Sequence, residues 1–217
     1  MRFLALGDSY TIGEGVPSEQ RWPNYLVEFL RQRGLHLGDP EIIARTAWTT
    51  DELMDAIPEA APAGPFDLVS VMIGVNDQYR SRPLDQFESS FLPLLDQAIG
   101  FAGGHAGRVI VVSIPDWGAS PFAEGRDRAL ISREIDDYNE RGRALAEARG
   151  ARWHDITVLS RRVADDPALV VDDKLHPSGE MYRLWALSLV EPVEVMLAAA
   201  KGPAAKRPAA KGPTASA

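Results

Sequence analysis

The sequence predicts a three-layer α/β domain built around a parallel sheet. Three observations lead there. Five short β-type runs alternate with longer helical stretches through residues 1–200. Two of those runs, Leu-Val-Ser-Val-Met-Ile at Leu68 to Ile73 and Val-Ile-Val-Val-Ser-Ile at Val109 to Ile114, are almost wholly apolar. Such runs suit strands that are covered on both faces. Finally, polar and glycine-containing motifs follow the runs directly, and open α/β sheets bind their ligands beyond the carboxyl ends of their strands.

The elements follow in order. Phe3 to Leu6 is the first strand, stopped by Gly7. Pro23 to Arg33 is a helix, with Tyr25, Leu26, Phe29 and Leu30 at helical spacing and Gly34 at its end. Glu41 to Ala44 is a weak second strand. Thr50 to Ile57 opens as a helix with Thr50-Asp51-Glu52 and is expected to stop before Pro58. Leu68 to Ile73 is the third strand. Leu84 to Ile99 aligns Phe87, Phe91, Leu94, Leu95 and Ile99 on one side, and Pro93 predicts a kink or a division into two helices. Val109 to Ile114 is the fourth strand, Ala129 to Arg149 a charged amphipathic helix and Arg152 to Ile156 the fifth strand. Ser178 to Ala200 is the last helix, capped by Ser178 and bent at Pro192. Its buried side is expected from Met181, Leu184, Trp185, Leu187 and Leu189.

A chain of 217 residues suits one domain. Residues 1–200 contain no linker or repeat and are expected to form it. The segment 201–217 repeats Lys-Gly-Pro and Pro-Ala-Ala units and is expected to be a disordered basic tail. The net charge is −8, and residues 1–200 alone hold 19 basic against 31 acidic side chains, a balance of −12. This disfavours nucleic acid and anionic membranes as main partners. The absence of cysteine removes disulfides, thiolate nucleophiles and thiolate metal sites. No apolar run can span a bilayer. No basic and apolar leader precedes the first strand, so the expectation is a cytoplasmic protein.

Chemistry concentrates after the strands. Gly7-Asp8-Ser9 follows the first, Thr46-Ala47-Trp48 the second, Gly74-Val75-Asn76-Asp77 the third and Pro115-Asp116-Trp117-Gly118 the fourth. Asp173-Lys174-Leu175-His176 precedes the last helix. Ser9 is the candidate nucleophile, but a serine hydroxyl needs a base. His176 is the best base, since imidazole takes and returns protons near neutral pH. Asp173, three residues earlier, can fix its tautomer. Pro177 predicts an extended backbone at His176. Asn76, with the backbone N–H groups of Ser9 and Ala47, can receive a developing oxyanion.

On these blocks the chain resembles the SGNH hydrolase superfamily, the GDSL-type esterases and lipases, over residues 1–200. Gly7-Asp8-Ser9 is similar to that family's first block, Gly74 to Asp77 to its third and Asp173 to His176 to its fifth. The resemblance implies Ser9 as nucleophile, Asp173 and His176 as its triad partners, and Asn76 and the Ser9 amide as oxyanion donors. It also implies a flavodoxin-like sheet of order 2-1-3-4-5 and no metal or organic cofactor. Two positions depart from the family. Ala47 stands where a glycine amide is usual, and its role survives if no positive φ is needed. Tyr10 follows the serine where leucine is common.

Other residues have plainer readings. Asp8 is expected to hold the turn, and Asp77 and Asp172 to be structural or solvated, with Asp172 the rival of Asp173. His154 reads as packed, and His36 and His105 carry no signal. Trp48, Tyr79, Trp117 and Phe122 are candidates for lining a substrate groove, with Trp48 narrowing it or forming an acyl wall. Arg80 and Arg82 read as a solvated pair before they read as an anion site. The resulting expectation is a serine hydrolase of small carboxylic esters or lysophospholipid-like substrates. An acyltransferase or deacetylase with the same triad stays open, as does a non-catalytic flavodoxin-like binding module. A two-metal phosphoesterase is disfavoured, since the chain has four histidines and no paired ligand motif.

Overall fold

A computed structural model describes residues 1–200; the basic tail at 201–217, expected to be disordered, lies outside the described residues. Five strands, β1 (Phe3–Asp8), β2 (Glu41–Arg45), β3 (Leu68–Met72), β4 (Val109–Val112) and β5 (Arg152–His154), form one parallel sheet. Their order is β2-β1-β3-β4-β5, the order the resemblance implied. Strand order reverses between β1 and β3, which opens a crevice at their carboxyl ends.

Five long helices cover the sheet: α2 (Trp22–Gln32), α3 (Thr50–Ala60), α5 (Leu84–Phe101), α6 (Arg128–Ala148) and α8 (Gly179–Ala200). Helix α2 packs on α8, while α3 packs on α5 and α5 on α6. Three short helices, α1 (Ser9–Ile12), α4 (Val75–Tyr79) and α7 (Thr157–Ser160), sit directly after β1, β3 and β5. The apolar residues of β1, β3 and β4 are almost wholly buried, as expected for strands sandwiched between two helical layers.

Several boundaries differ from the sequence reading, each for a local reason. Strands β4 and β5 end two residues early because side chains take over the backbone donors. Asn139 accepts the Ile114 N–H at 2.9 Å, and Ser113 Oγ accepts the Ile156 N–H at 2.8 Å. Helix α3 continues past Pro58, and Ala61 closes it by donating to the Ile57 carbonyl at 3.0 Å. Its cap is Thr49 rather than Thr50, in a reciprocal box with Glu52. Helix α5 is one helix through Pro93, not two. Ser178 does not cap α8 through its side chain. Its Oγ is buried without a partner, and only its carbonyl enters the helix, accepting from Tyr182 at 3.0 Å. Leu187 is exposed, because the buried stripe of α8 runs through Met181, Trp185 and Leu189 at i, i+4 spacing.

The carboxyl end of β1 is tightly packed at Gly7. A Cβ on Gly7 would stand 2.1 Å from Thr11 Oγ1 and 2.6 Å from the Met72 carbonyl oxygen, so only glycine lets β1 approach both β3 and the start of α1. Asp8 then caps α1, accepting the Tyr10 N–H at 3.0 Å through one oxygen. Its second oxygen is buried and unpartnered. Burial pushes the Asp8 carboxyl up to about 7, the Tyr10 bond pulls it back only partly, and the charge of Asp77 adds to the rise.

Two outcomes follow. Gly7→Ala should lower stability by roughly 1–3 kcal/mol, because the Met72 oxygen belongs to a central strand and cannot retreat; an unchanged Tm by calorimetry would contradict the close approach. For Asp8, the unfolded chain ionises near 3.8 while the folded chain keeps its proton to about 7. Between those values the unfolded state binds fewer protons, so stability falls as pH rises and then levels off above about 7. Asp8→Asn removes that slope, and at pH 8 it should be more stable than the parent by an amount bounded above by about 4 kcal/mol. Urea unfolding of both proteins at pH 4 and pH 8 measures this; a difference that is the same at both values would contradict a proton on buried Asp8.

Candidate active site

The carboxyl ends of β1, β2 and β3, with the segment before α8, converge on one cavity of about 200 Å³. Its lining includes Ser9, Asn76 and His176 beside Tyr79, Trp117 and Phe122.

Ser9 is the first residue of α1, placed at the end of β1 by the close approach at Gly7 and by the Asp8 cap. The chain then closes after one turn, with the N–H groups of Gly13 and Glu14 both donating to the Ser9 carbonyl at 3.0 Å. Ser9 Oγ lies 2.9 Å from His176 Nε2. The Asp173 Oδ2 atom lies 2.6 Å from His176 Nδ1. The other Asp173 oxygen accepts the N–H of Leu175 at 2.8 Å and that of His176 at 2.9 Å, so the carboxylate cannot rotate away from the ring. Burial alone would raise the Asp173 carboxyl, but these bonds from His176 and Leu175 outweigh it and hold the group below the usual carboxylate range. An ionised Asp173 only accepts, so Nδ1 carries the imidazole proton and Nε2 faces the Ser9 hydroxyl as acceptor.

The segment carrying this pair is braced. Val170 bridges Pro177 in antiparallel fashion, Val171 donates to the His176 carbonyl at 2.9 Å, and Ser178 donates to the Leu169 carbonyl at 2.8 Å. Pro177, paired in this bridge, fixes the chain directly after His176. Lys174 takes a left-handed conformation, φ 64°, and its carbonyl accepts the Phe122 N–H at 3.1 Å. Tyr10, the departure after the serine, is buried with its ring 5.3 Å from the imidazole, and forms one wall against which His176 rests. Asp172, the rival of Asp173, makes no such contact.

Across the cavity stands the amide side. The Asn76 Nδ2 atom donates to the Trp48 carbonyl at 2.9 Å, which fixes the amide and leaves its second hydrogen for the cavity. Gly74 starts this helix at φ 122°, where a Cβ would press on Phe87 at 2.9 Å. Buried Asp77 accepts both the N–H and the hydroxyl of Thr50 at 2.9 Å and a bond from Arg82 at 3.2 Å. It therefore ties the start of α3 to α4 and sets the 46–49 turn beside Asn76. Among the described residues no acceptor receives the Ala47 N–H.

Two sequence expectations change here. Ala47 does need a positive φ, 67°, so alanine holds a left-handed position where glycine would sit without strain, at a cost of roughly 1–2 kcal/mol. Trp48 does not line the cavity. Asn76 captures its carbonyl, and the half-buried ring packs against the core instead. Tyr79, Trp117 and Phe122 do form an aromatic wall, with Trp117 held by a 2.7 Å bond from its ring N–H to Gln78. Arg80 and Arg82 are committed to Glu52 and the Ala47 carbonyl, and to Asp51 and Asp77, respectively. His154 is packed in β5 against Ser188 at 2.9 Å. Sequence reasoning missed Arg126 beside the aromatic wall, since it sits in an irregular stretch with no motif to mark it.

Comparison with known proteins agrees with this geometry. The family model of the GDSL-like lipase/acylhydrolase family matches residues 5–184. A protein named arylesterase from Vibrio mimicus is 25% identical over 184 residues, covering 82% of this chain and 81% of that protein. An acetylxylan esterase from Geobacillus stearothermophilus has the same fold, with a TM-score of 0.69 at 21% identity, over 88% of this chain and 93% of that one. So does a member of the lipolytic G-D-S-L family from Veillonella parvula, with a TM-score of 0.67 at 19% identity, over 88% and 97%. The chain belongs to the GDSL-like lipase/acylhydrolase family, and it is a hydrolase of carboxylic esters.

Proposed function

We propose that residues 1–200 act as one catalytic domain that hydrolyses short-acyl carboxylic esters, aryl esters among them, through an acyl-enzyme on Ser9. The observation that carries this reading is the continuous chain of contacts from Ser9 Oγ to His176 Nε2 at 2.9 Å and from His176 Nδ1 to Asp173 at 2.6 Å, inside a cavity that Asn76 also reaches.

In this reading the Ser9 oxygen attacks the acyl carbonyl while its proton passes to Nε2. The imidazolium is stabilised by Asp173, which stays ionised. The carbonyl oxygen becomes an oxyanion received by the second hydrogen of Asn76 and by the amides of Ser9 and Ala47. Collapse breaks the ester bond, and Nε2 returns the proton to the departing alcohol. Water then attacks the acyl-enzyme with the same imidazole as base, releasing the acid and restoring Ser9.

Cavity size supports the substrate class. A cavity of about 150 Å³ is enough for benzene, so about 200 Å³ accepts one aromatic ring or a short acyl chain. Tyr79, Trp117 and Phe122 supply apolar faces for such a group. The relatives named arylesterase and acetylxylan esterase point to the same range of small esters.

Ser9→Ala should reduce turnover of p-nitrophenyl acetate to the level of buffer. Asn76→Ala should lower kcat about 10²–10³-fold with a much smaller change in KM, since its bond to the oxyanion exists only in the transition state. Steady-state kinetics on the two purified variants checks both. Full turnover by Ser9→Ala, or a loss in Asn76→Ala confined to KM, would overturn these roles.

A further inference from the structure

Arg126 stands at the rim of the aromatic wall. Its guanidinium carbon lies 5.5 Å from the centre of the Tyr79 ring, 5.2 Å from that of Trp117 and 5.3 Å from that of Phe122. All three rings line the cavity that holds Ser9 and His176. One guanidinium nitrogen also reaches the Tyr79 hydroxyl at 3.4 Å. Three aromatic faces thus hold a cation by ring-quadrupole attraction and restrict where its fork of N–H donors can point.

Among the described residues Arg126 forms no salt bridge, whereas Arg80, Arg82 and Arg161 are each bound to carboxylates. The cation stands beside three rings of the cavity, and among the described residues the side-chain hydrogen bond it makes is the one to the Tyr79 hydroxyl. Guanidinium donors match a carboxylate or phosphate geometrically.

Resting on the hydrolase reading above, we propose that Arg126 is a specificity residue that recognises a negatively charged group on the ester substrate. The reacting carbonyl sits at Ser9 and the body of the substrate passes along Tyr79, Trp117 and Phe122. The anionic end is then met by Arg126 at the rim. The preferred acyl donors are accordingly half-esters of short dicarboxylic acids, or esters whose alcohol portion carries the charge.

The test compares three substrates with the full chain: neutral p-nitrophenyl butyrate, the p-nitrophenyl half-ester of glutaric acid, and the acetyl ester of p-hydroxybenzoic acid. Arg126→Met should lower kcat/KM about ten- to hundredfold for a charged substrate, the range expected for loss of a charge-assisted hydrogen bond. It should leave the neutral ester within about twofold, because no charged contact is lost there. Selectivity in the glutarate arm puts the charge on the acyl side, and selectivity in the acetyl arm puts it on the alcohol side. Arg126→Lys should retain part of the preference, and rising salt should erode it in the parent but not in Arg126→Met. An equal loss on all three substrates, or no loss on any, would overturn the assignment. Failure of the parent to cleave even the neutral ester would instead refute the hydrolase reading.

Discussion

The Asp173 carboxylate is the constraint on which the site rests. One of its oxygens is pinned by two backbone N–H groups from its own turn, and the other is directed at Nδ1 of a histidine three residues on. That single arrangement selects the imidazole tautomer and aims Nε2 at Ser9, 167 residues away in sequence. Asp173 can do this although its side chain is 43% exposed, because its orientation comes from covalent nearness and backbone bonds rather than from burial. A surface ion pair would be weak on its own. Here it works as a positioning device.

The remaining structure serves to bring two more strand ends to the same place. Gly7 lets β1 run close to β3, so that Ser9 emerges at the reversal of strand order. Asp77 performs the matching task opposite, by joining α3 to α4 through Thr50. Asn76 then holds the 46–49 turn by the Trp48 carbonyl. Both acids next to Ser9 and Asn76, namely Asp8 and Asp77, are buried and raised by burial, and neither contacts Ser9 Oγ. Their work is architectural.

Much of this was legible in the sequence because the decisive signals are local. The apolar runs of β3 and β4 have no polar face, which only a covered parallel sheet explains. Gly7-Asp8-Ser9 and Asp173 to His176 each encode their geometry within four residues. What could not be read depends on distant partners. The end of β4 is set by Asn139, which lies 25 residues beyond Ile114. Trp48 looks like a cavity wall until its carbonyl is seen captured by Asn76, 28 residues away. Ala47 gives no hint of its positive φ, because alanine rarely takes one. Arg126 becomes meaningful only when Tyr79, at the end of α4, joins Trp117 and Phe122 of the segment after β4 around it.

The most direct measurement of the central claim is covalent trapping. A fluorophosphonate reacts only with a serine whose proton is removed by a correctly placed base. The intact-protein mass should rise by one phosphonyl group, peptide mapping should place it on Ser9, and His176→Ala should abolish it under the same conditions. An adduct on another serine, or one on Ser9 formed equally fast without His176, would contradict the account.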